Sequence, residues 1–507
     1  MGKITNYANK LASAGTSKKN GRAALDAITT TEVITPERRQ SLEAIFKLGV
    51  SILLPLIIFF LPTEWIPLSG IDVVQQRVMA IFVMATLFWI LEPVPIYATS
   101  VLIILALLLT VSDKSLAFLE ATEGELLSYK AILGTFASPI IILFLGGFFL
   151  AIAGTKYGLD KNMARVLLKP FGTKPIYVML GLMLITATFS MFMSNTATTV
   201  MMLTILSPVL ASLPEKDKGK AGFVLAIPIA ANVGGIGTPI GTPPNAIAMK
   251  YLVGEYAVSF GTWMFYAIPF VVILLTISWF LLQKLYPCKA KELRVDIKGT
   301  FDKSTKAIIV YATFATTILL WLFGDFVGLN SYVTAVIPIA VFSLTSVVTK
   351  EDFNKISWDV LWLVTGGIAM GLALEKTGLA RTVVENIPFG TFSPYIIIAA
   401  AAVLAVTMAN FMSNTATANL LMPMIVALAV SLDSLIPLGG VTAIVLCATF
   451  GASMGMSLPI STPPNALAHA TGIIQTRDFL RTGFIIGTTG LLMTFVMVYS
   501  LNVLGWL

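Results

Sequence analysis

The sequence predicts an all-α integral membrane protein of about 11 transmembrane helices plus two re-entrant hairpins in an inverted repeat. Three observations predict it. Of the 507 residues, 57% are hydrophobic and only 12% charged, with a mean hydropathy of +0.88, whereas water-soluble domains carry about a quarter charged residues. The apolar residues fall in uncharged blocks such as 307–324 and 483–499, of the about 17 to 25 residues a helix needs to cross the hydrocarbon core. The stretch FMSNTAT occurs twice, at 192–198 and 411–417, and each copy is followed by TPPNA, at 242–246 and 462–466.

From the N-terminus, residues 1–45 read as a cytoplasmic tail without the charged-then-apolar pattern of a cleaved signal peptide. Its last part, TPERRQSLEAIFKLG, reads as a helix capped by Thr35, with Pro36 at its first turn, lying along the membrane interface. Apolar blocks then place spans near 46–62, 75–91, 96–112, 134–155, 221–254, 258–283, 307–325, 331–348, 358–374, 437–470 and 482–506. Two blocks remain, 176–212 and 394–431, each split in the middle by Ser-Asn-Thr, and these read as hairpins that enter and leave on one side. The chain thus divides into a first half, 46–290, a basic linker, 291–306, and a second half, 307–507.

Charge sets the orientation. On this count the tail, the segments after Lys156 and Pro214, the run 284–306, Lys350 with Lys355, and Arg477 with Arg481 share one face. That face holds most of the Lys and Arg, so it is expected to be cytoplasmic, together with the N-terminus, in a multi-pass protein of the plasma or inner membrane. An odd number of spans separates the hairpins, so one opens from the cytoplasm and the other from outside, and the halves are inverted. The correspondence extends further: Gly146-Gly147 matches Gly366-Gly367, Tyr157-Gly158-Leu159 matches Thr377-Gly378-Leu379, and PIGTPPNA matches PISTPPNA. Inverted repeats with paired broken helices are the architecture of secondary transporters, whose sites lie at the midplane where the repeats meet.

The motifs carry polar atoms to membrane depth, where unpaired backbone survives only when buried or lining a cavity. Ser194, Asn195 and Thr196, with Ser413, Asn414 and Thr415, supply hydroxyls and amides. The prolines of TPPN break the partner helices, because proline lacks an N–H and clashes with the preceding turn. Each break exposes C-terminal carbonyls suited to a hard cation such as Na⁺ and N-terminal N–H groups suited to an anion. None of these residues is ionised. A dianion in low dielectric is costly, and co-bound Na⁺ would offset its charge.

Other features weigh less. A formal net charge of +7 follows from loop topology and does not argue for nucleic acid. Cys288 and Cys447 show neither disulfide nor metal spacing. Gly451-Ala452-Ser453-Met454-Gly455 matches a serine-hydrolase elbow, with His469 the sole histidine, but an elbow needs a strand before it. Gly234-Gly235-Ile236-Gly237 fails the dinucleotide spacing, because Ile240 stands at the third glycine. Both glycine runs read as close helix approaches. Lys250 and His469 read as snorkelling or interfacial groups, and Glu92, Glu375 and Lys376 as helix-end residues near water.

Paired SNT hairpins followed by TPPN breaks resemble the divalent anion sodium symporter family of sodium-coupled di- and tricarboxylate carriers, over about residues 45–507. The resemblance implies a homodimer whose transport domain carries both hairpins across the bilayer like an elevator. It implies one sodium site at Ser190, Ser194, Asn195 and backbone near Gly241, and a second at Ser413, Asn414 and backbone near Ser461. Substrate would meet Asn195, Thr196, Asn414 and Thr415, with Thr242, Pro243, Thr462 and Pro463 completing the pocket. One departure stands out: Ala409 occupies the place that Ser190 holds in the first half. The expected function is import of a C4-dicarboxylate (succinate, fumarate or malate) by symport with Na⁺. The alternatives are a cation-independent dicarboxylate exchanger and a sulfate or citrate carrier; a channel or an intramembrane hydrolase would belong to other classes.

Overall fold

The computed structural model describes residues 36–119, 124–293 and 301–507, and Thr35 and part of the basic linker lie outside them. Among the described residues there is no β-strand, only an isolated bridge between Ser112 and Leu127. The helices in chain order are α1 Pro36–Phe60, α2 Val73–Leu91, α3 Ile96–Thr110, α4 Tyr129–Gly134, α5 Pro139–Lys156, α6 Leu159–Leu168, α7 Pro175–Phe192, α8 Asn195–Ser212, α9 Gly219–Gly235, α10 Pro243–Met249 and α11 Phe260–Leu285. They continue with α12 Thr305–Phe323, α13 Ser331–Thr334, α14 Val336–Leu344, α15 Lys350–Phe353, α16 Trp358–Lys376, α17 Leu379–Glu385, α18 Pro394–Phe411, α19 Asn414–Ser431, α20 Gly440–Ser453, α21 Pro463–His469 and α22 Thr476–Val503.

Every block expected to span carries an apolar helix, and ten helical segments among the described residues are long and apolar enough to cross a membrane. These include all four hairpin arms, α7, α8, α18 and α19, each of 18 residues. One expectation is corrected. The interfacial helix and the first span are a single 25-residue helix, α1, because neither Gly49 nor Pro55 ends it and no turn signal stands between Pro36 and Phe60.

Two series of helices follow the same order, α5 to α11 and α16 to α22. In each, a long helix is followed by a short one whose N-cap is a glycine in the left-handed region, Gly158 (φ 63°) or Gly378 (φ 74°). Next come two 18-residue arms beginning with Pro175 or Pro394, a helix that breaks, a seven-residue helix beginning at Pro243 or Pro463, and a last long helix. The proline at each helix start loses no hydrogen bond, since the first N–H groups of a helix have no partner inside it.

The first arm of each hairpin lies along the helix that breaks, α7 on α9 and α18 on α20. Small residues allow it. A Cβ on Gly234 would sit 2.4 Å from the Ala187 backbone, and one on Gly455 would sit 2.4 Å from Ala409. One apolar core runs through both series, joining Leu182, Phe223 and Trp263 to Ala402, Leu446 and Phe450, with the Trp263 and Phe450 rings 5.8 Å apart. The two series also interlock at their breaks: α8 packs on α21, and α10 packs on α19.

Candidate binding site at the paired helix breaks

Each hairpin turns in two extended residues, Met193-Ser194 and Met412-Ser413. The serine caps the returning arm. Ser194 Oγ accepts from the Ala197 N–H at 3.2 Å and Ser413 Oγ from the Ala416 N–H at 3.2 Å. The serine takes the third N–H of the helix, so the first two, at Asn195 and Thr196 or at Asn414 and Thr415, remain at the positive end of an 18-residue helix. Ser194, Asn195, Ser413 and Asn414 are partly buried, Thr196 is exposed and Thr415 is buried.

In the first hairpin the buried Ser190 donates to the Ala231 carbonyl at 2.7 Å and lies 2.5 Å from Asn195 Oδ1. Three oxygens therefore converge around one hydroxyl proton, an excess of lone pairs that suits a hard cation. Among the described residues no group of three or more His, Cys, Asp or Glu exists, so a cation here would be held by neutral oxygens. Glycine makes the approach possible: a Cβ on Gly235 would meet Asn195 Oδ1 at 2.6 Å, and one on Gly241 would meet the Gly235 carbonyl at 2.3 Å.

The second hairpin differs at the same point. Ala409 is fully buried and brings no hydroxyl, and Asn414 Oδ1 is buried without a hydrogen-bond partner. Ser461, which stands where the first series has Gly241, donates to the Asn410 carbonyl at 3.0 Å and accepts from the Leu458 N–H at 3.1 Å. Its hydroxyl is thus committed to Leu458 and to α18, and its N–H donates to the Leu458 carbonyl at 3.2 Å, leaving its carbonyl for any ligand.

The asparagines of TPPNA hold the breaks open. Asn245 Nδ2 donates to the carbonyls of Gly235, Ile236 and Thr238 at 3.0, 3.2 and 2.8 Å. Asn465 Nδ2 donates to those of Met456 and Leu458 at 2.9 and 3.0 Å. These carbonyls lie at and just beyond the ends of α9 and α20, where the broken helices leave interior backbone in need of donors. Thr238 ties the first break to its hairpin by donating to the Met191 carbonyl. Thr242 and Thr462 are both buried helix caps, Pro243 is half-buried and Pro463 exposed.

A cleft of about 310 Å³ reaches the tip of the first hairpin. It is lined there by Met193, Ser194 and Ala197, along α5 by Ile152 and Thr155, and at its mouth by Lys156, Asp352 and Lys355. Asp352 lies 2.5 Å from Lys156 and 3.0 Å from Lys355 and caps α15 through Thr349. Burial works to raise its pKa, but the hydrogen bonds from Lys156, Thr349 and Lys355 outweigh burial and hold the carboxyl well below the usual range.

Asn232, Ala231 and Asn410 join these contacts although the sequence assigns them no role. The signal for Asn232 was present, an amide in the middle of an otherwise apolar run. Lys250 does not snorkel. Its ammonium donates to the Ile368 carbonyl of α16 at 3.1 Å and lies 4.8 Å over the Tyr251 ring. His469 ends α21 half-buried, 6.1 Å from Phe479. The elbow-like glycines, Gly451 and Gly455, pack against Ala402 and Ala409 of α18, and a helix, not a strand, precedes Ser453.

The model of the sodium:sulfate symporter transmembrane region matches residues 42–507. An uncharacterised transporter of Haemophilus influenzae is 28% identical over 483 residues, covering 91% of this chain and 98% of the relative. The sodium-dependent dicarboxylate transporter SdcS of Staphylococcus aureus is 29% identical over 494 residues, covering 89% of each. An uncharacterised transporter of Schizosaccharomyces pombe is 31% identical over 432 residues, 81% of this chain and 48% of the relative. Among solved structures, the YdaH transporter of Alcanivorax borkumensis shares the fold with a TM-score of 0.56 at 15% identity, over 82% of this chain and 99% of that one.

Proposed function

Because the chain belongs to the family of sodium:sulfate symporter transmembrane regions, we propose that this multi-pass membrane transporter imports C4-dicarboxylates such as succinate, fumarate and malate by symport with Na⁺. It is a transporter and not an enzyme. The observation that carries the proposal is the set Ser190 Oγ, Asn195 Oδ1 and Ala231 carbonyl, three neutral oxygens with one proton, at the foot of α8. A cation held there would neutralise charge beside the N–H groups at the start of α8, and an anionic carboxylate is the complement those groups require. Two such helix starts, α8 and α19, match two carboxylates. A staphylococcal relative bears the name sodium-dependent dicarboxylate transporter, which favours the same pair of ligands.

In this reading Ser190, Ser194, Asn195 and backbone at Gly241 hold one Na⁺, and Ser413, Asn414 and backbone at Ser461 hold a second. Asn195, Thr196, Asn414 and Thr415 bind the carboxylates, and Thr242, Pro243, Thr462 and Pro463 close the pocket. The matched helix series support an inverted repeat, and the single core that joins them supports their moving together as the transport domain of an elevator within a homodimer. The N-terminus lies in the cytoplasm and the protein in the plasma or inner membrane, on the charge bias of the loops. Thermal unfolding in detergent tests the ligands: succinate should raise the melting temperature in Na⁺ and not in choline, with sulfate and citrate inert. Stabilisation by sulfate alone would contradict the proposal.

Ala409 and the unpartnered Asn414 Oδ1 favour a second reading, an exchanger without tight sodium coupling. Its mark would be uptake that requires internal succinate and ignores sodium.

A further inference from the structure

Asn232, on α9 of the first series, reaches across to the break of the second. Its Nδ2 donates to Thr462 Oγ1 at 3.1 Å and to Asn465 Oδ1 at 3.2 Å. The three side chains are 3%, 4% and 1% exposed. The orientation of the amides follows from the network. Asn465 spends both Nδ2 hydrogens on the Met456 and Leu458 carbonyls, so its oxygen must face Asn232, and Asn232 must present its nitrogen.

This fixes the Thr462 hydroxyl. Its oxygen accepts from the Asn465 backbone N–H at 3.3 Å, as the cap of α21, and from Asn232 Nδ2. A hydroxyl offers two lone pairs and one proton. With both lone pairs taken, Thr462 can act only as a donor, and among the described residues its proton has no acceptor. The first break is not built this way: Ala452 stands where Asn232 would have its counterpart, and Thr242 caps nothing with its side chain.

We infer that Asn232 is a positioning residue that makes Thr462 an obligate hydrogen-bond donor, and that this threonine contributes to selecting a carboxylate over a cation at the second break. The inference rests on the reading that Thr462 faces the transported dicarboxylate. A hydroxyl with a free lone pair serves Na⁺ and anion alike; one without serves only the anion.

The test is succinate uptake by the full-length protein in proteoliposomes, with KM, maximal rate and sodium half-saturation measured separately. Asn232→Ala frees a lone pair on Thr462 and releases its hydroxyl to turn, so the succinate KM should rise by up to about tenfold, the factor that loss of one hydrogen bond to a charged group produces, with maximal rate little changed. Thr462→Val should raise KM equally, the double variant should be no worse than Thr462→Val alone, and Thr462→Ser should restore the wild-type value. Should Asn232→Ala fail to fold, Asn232→Ser takes its place: its shorter side chain removes the amide donor without setting a charge against Asn465 Oδ1, so KM should rise as for Asn232→Ala. A wild-type KM in either Asn232 variant, or additive effects in the double variant, would overturn the inference while the wild-type protein still transports. Wild-type protein that takes up no dicarboxylate would instead sink the functional reading on which it rests.

Discussion

Ser190 Oγ lies 2.5 Å from Asn195 Oδ1 across the turn of the first hairpin, a contact that the second hairpin lacks because its counterparts are Ala409 and Asn414. The two hairpins are alike in backbone and unlike in the number of oxygens they gather. Ser190→Ala should therefore weaken sodium activation of uptake about tenfold, the effect of losing about 1.4 kcal/mol. Ala409→Ser, which gives Asn414 Oδ1 a neighbouring hydroxyl, should lower sodium half-saturation by roughly threefold. Sodium titrations of initial uptake rates check both.

Asn245 and Asn465 are expected to be structural before they are functional. Asn245→Asp replaces a donor with a carboxylate facing three carbonyls within 3.2 Å, a buried repulsion of about 3 kcal/mol or more. Size-exclusion profiles and melting temperature in detergent should show loss of folded protein. A well-folded variant with a wild-type melting temperature would refute this account of the break.

Gly241 and Gly235 should not tolerate a methyl group. The Cβ of Gly241→Ala would lie 2.3 Å from a backbone carbonyl that cannot swing away, so the break must open and the hairpin contact with Asn195 must shift. Uptake should fall at least about a hundredfold, since misplacing a binding group by about 1 Å is that costly. Gly49→Ala, where a Cβ meets nothing within 4 Å, should transport normally.

Asp352 ties the segment before α16 to α5 through Lys156, and pairs within that segment with Lys355. Its folded pKa lies below the unfolded value of about 3.9, so its stabilisation is fully present above that value and is lost as pH falls through the native one. Asp352→Asn should lower stability by about 1 to 3 kcal/mol, less than for a fully buried pair because Lys156 is one-third exposed. The difference in melting temperature between wild type and variant should stay flat from about pH 5 to 8 and shrink below about pH 4.

The apolar blocks and the repeated SNT and TPPN made most of the fold legible. Blocks 176–212 and 394–431, each split at Ser-Asn-Thr, are each a pair of helices that meet there, Phe192 with Asn195 and Phe411 with Asn414. The continuity of α1 was not legible, because a polar-to-apolar change in composition does not by itself end a helix, and an isolated Gly49 and Pro55 are absorbed when the chain on both sides stays helical. At the breaks, the difference between Ser190 and Ala409 is readable by setting one series against the other. Asn232 joins positions 230 or more residues apart in sequence, and no local pattern reveals such a partner. Lys250 was misread for a related reason: the carbonyl it meets belongs to α16, which only the folded chain brings beside α10.

The most direct measurement is succinate accumulation in proteoliposomes holding no internal succinate, under an inward sodium gradient and in matched choline. Sodium-coupled import predicts concentrative uptake that collapses when the gradient is dissipated and is absent in choline. Equal uptake in both media, appearing only when vesicles are preloaded with succinate, would contradict it and establish exchange.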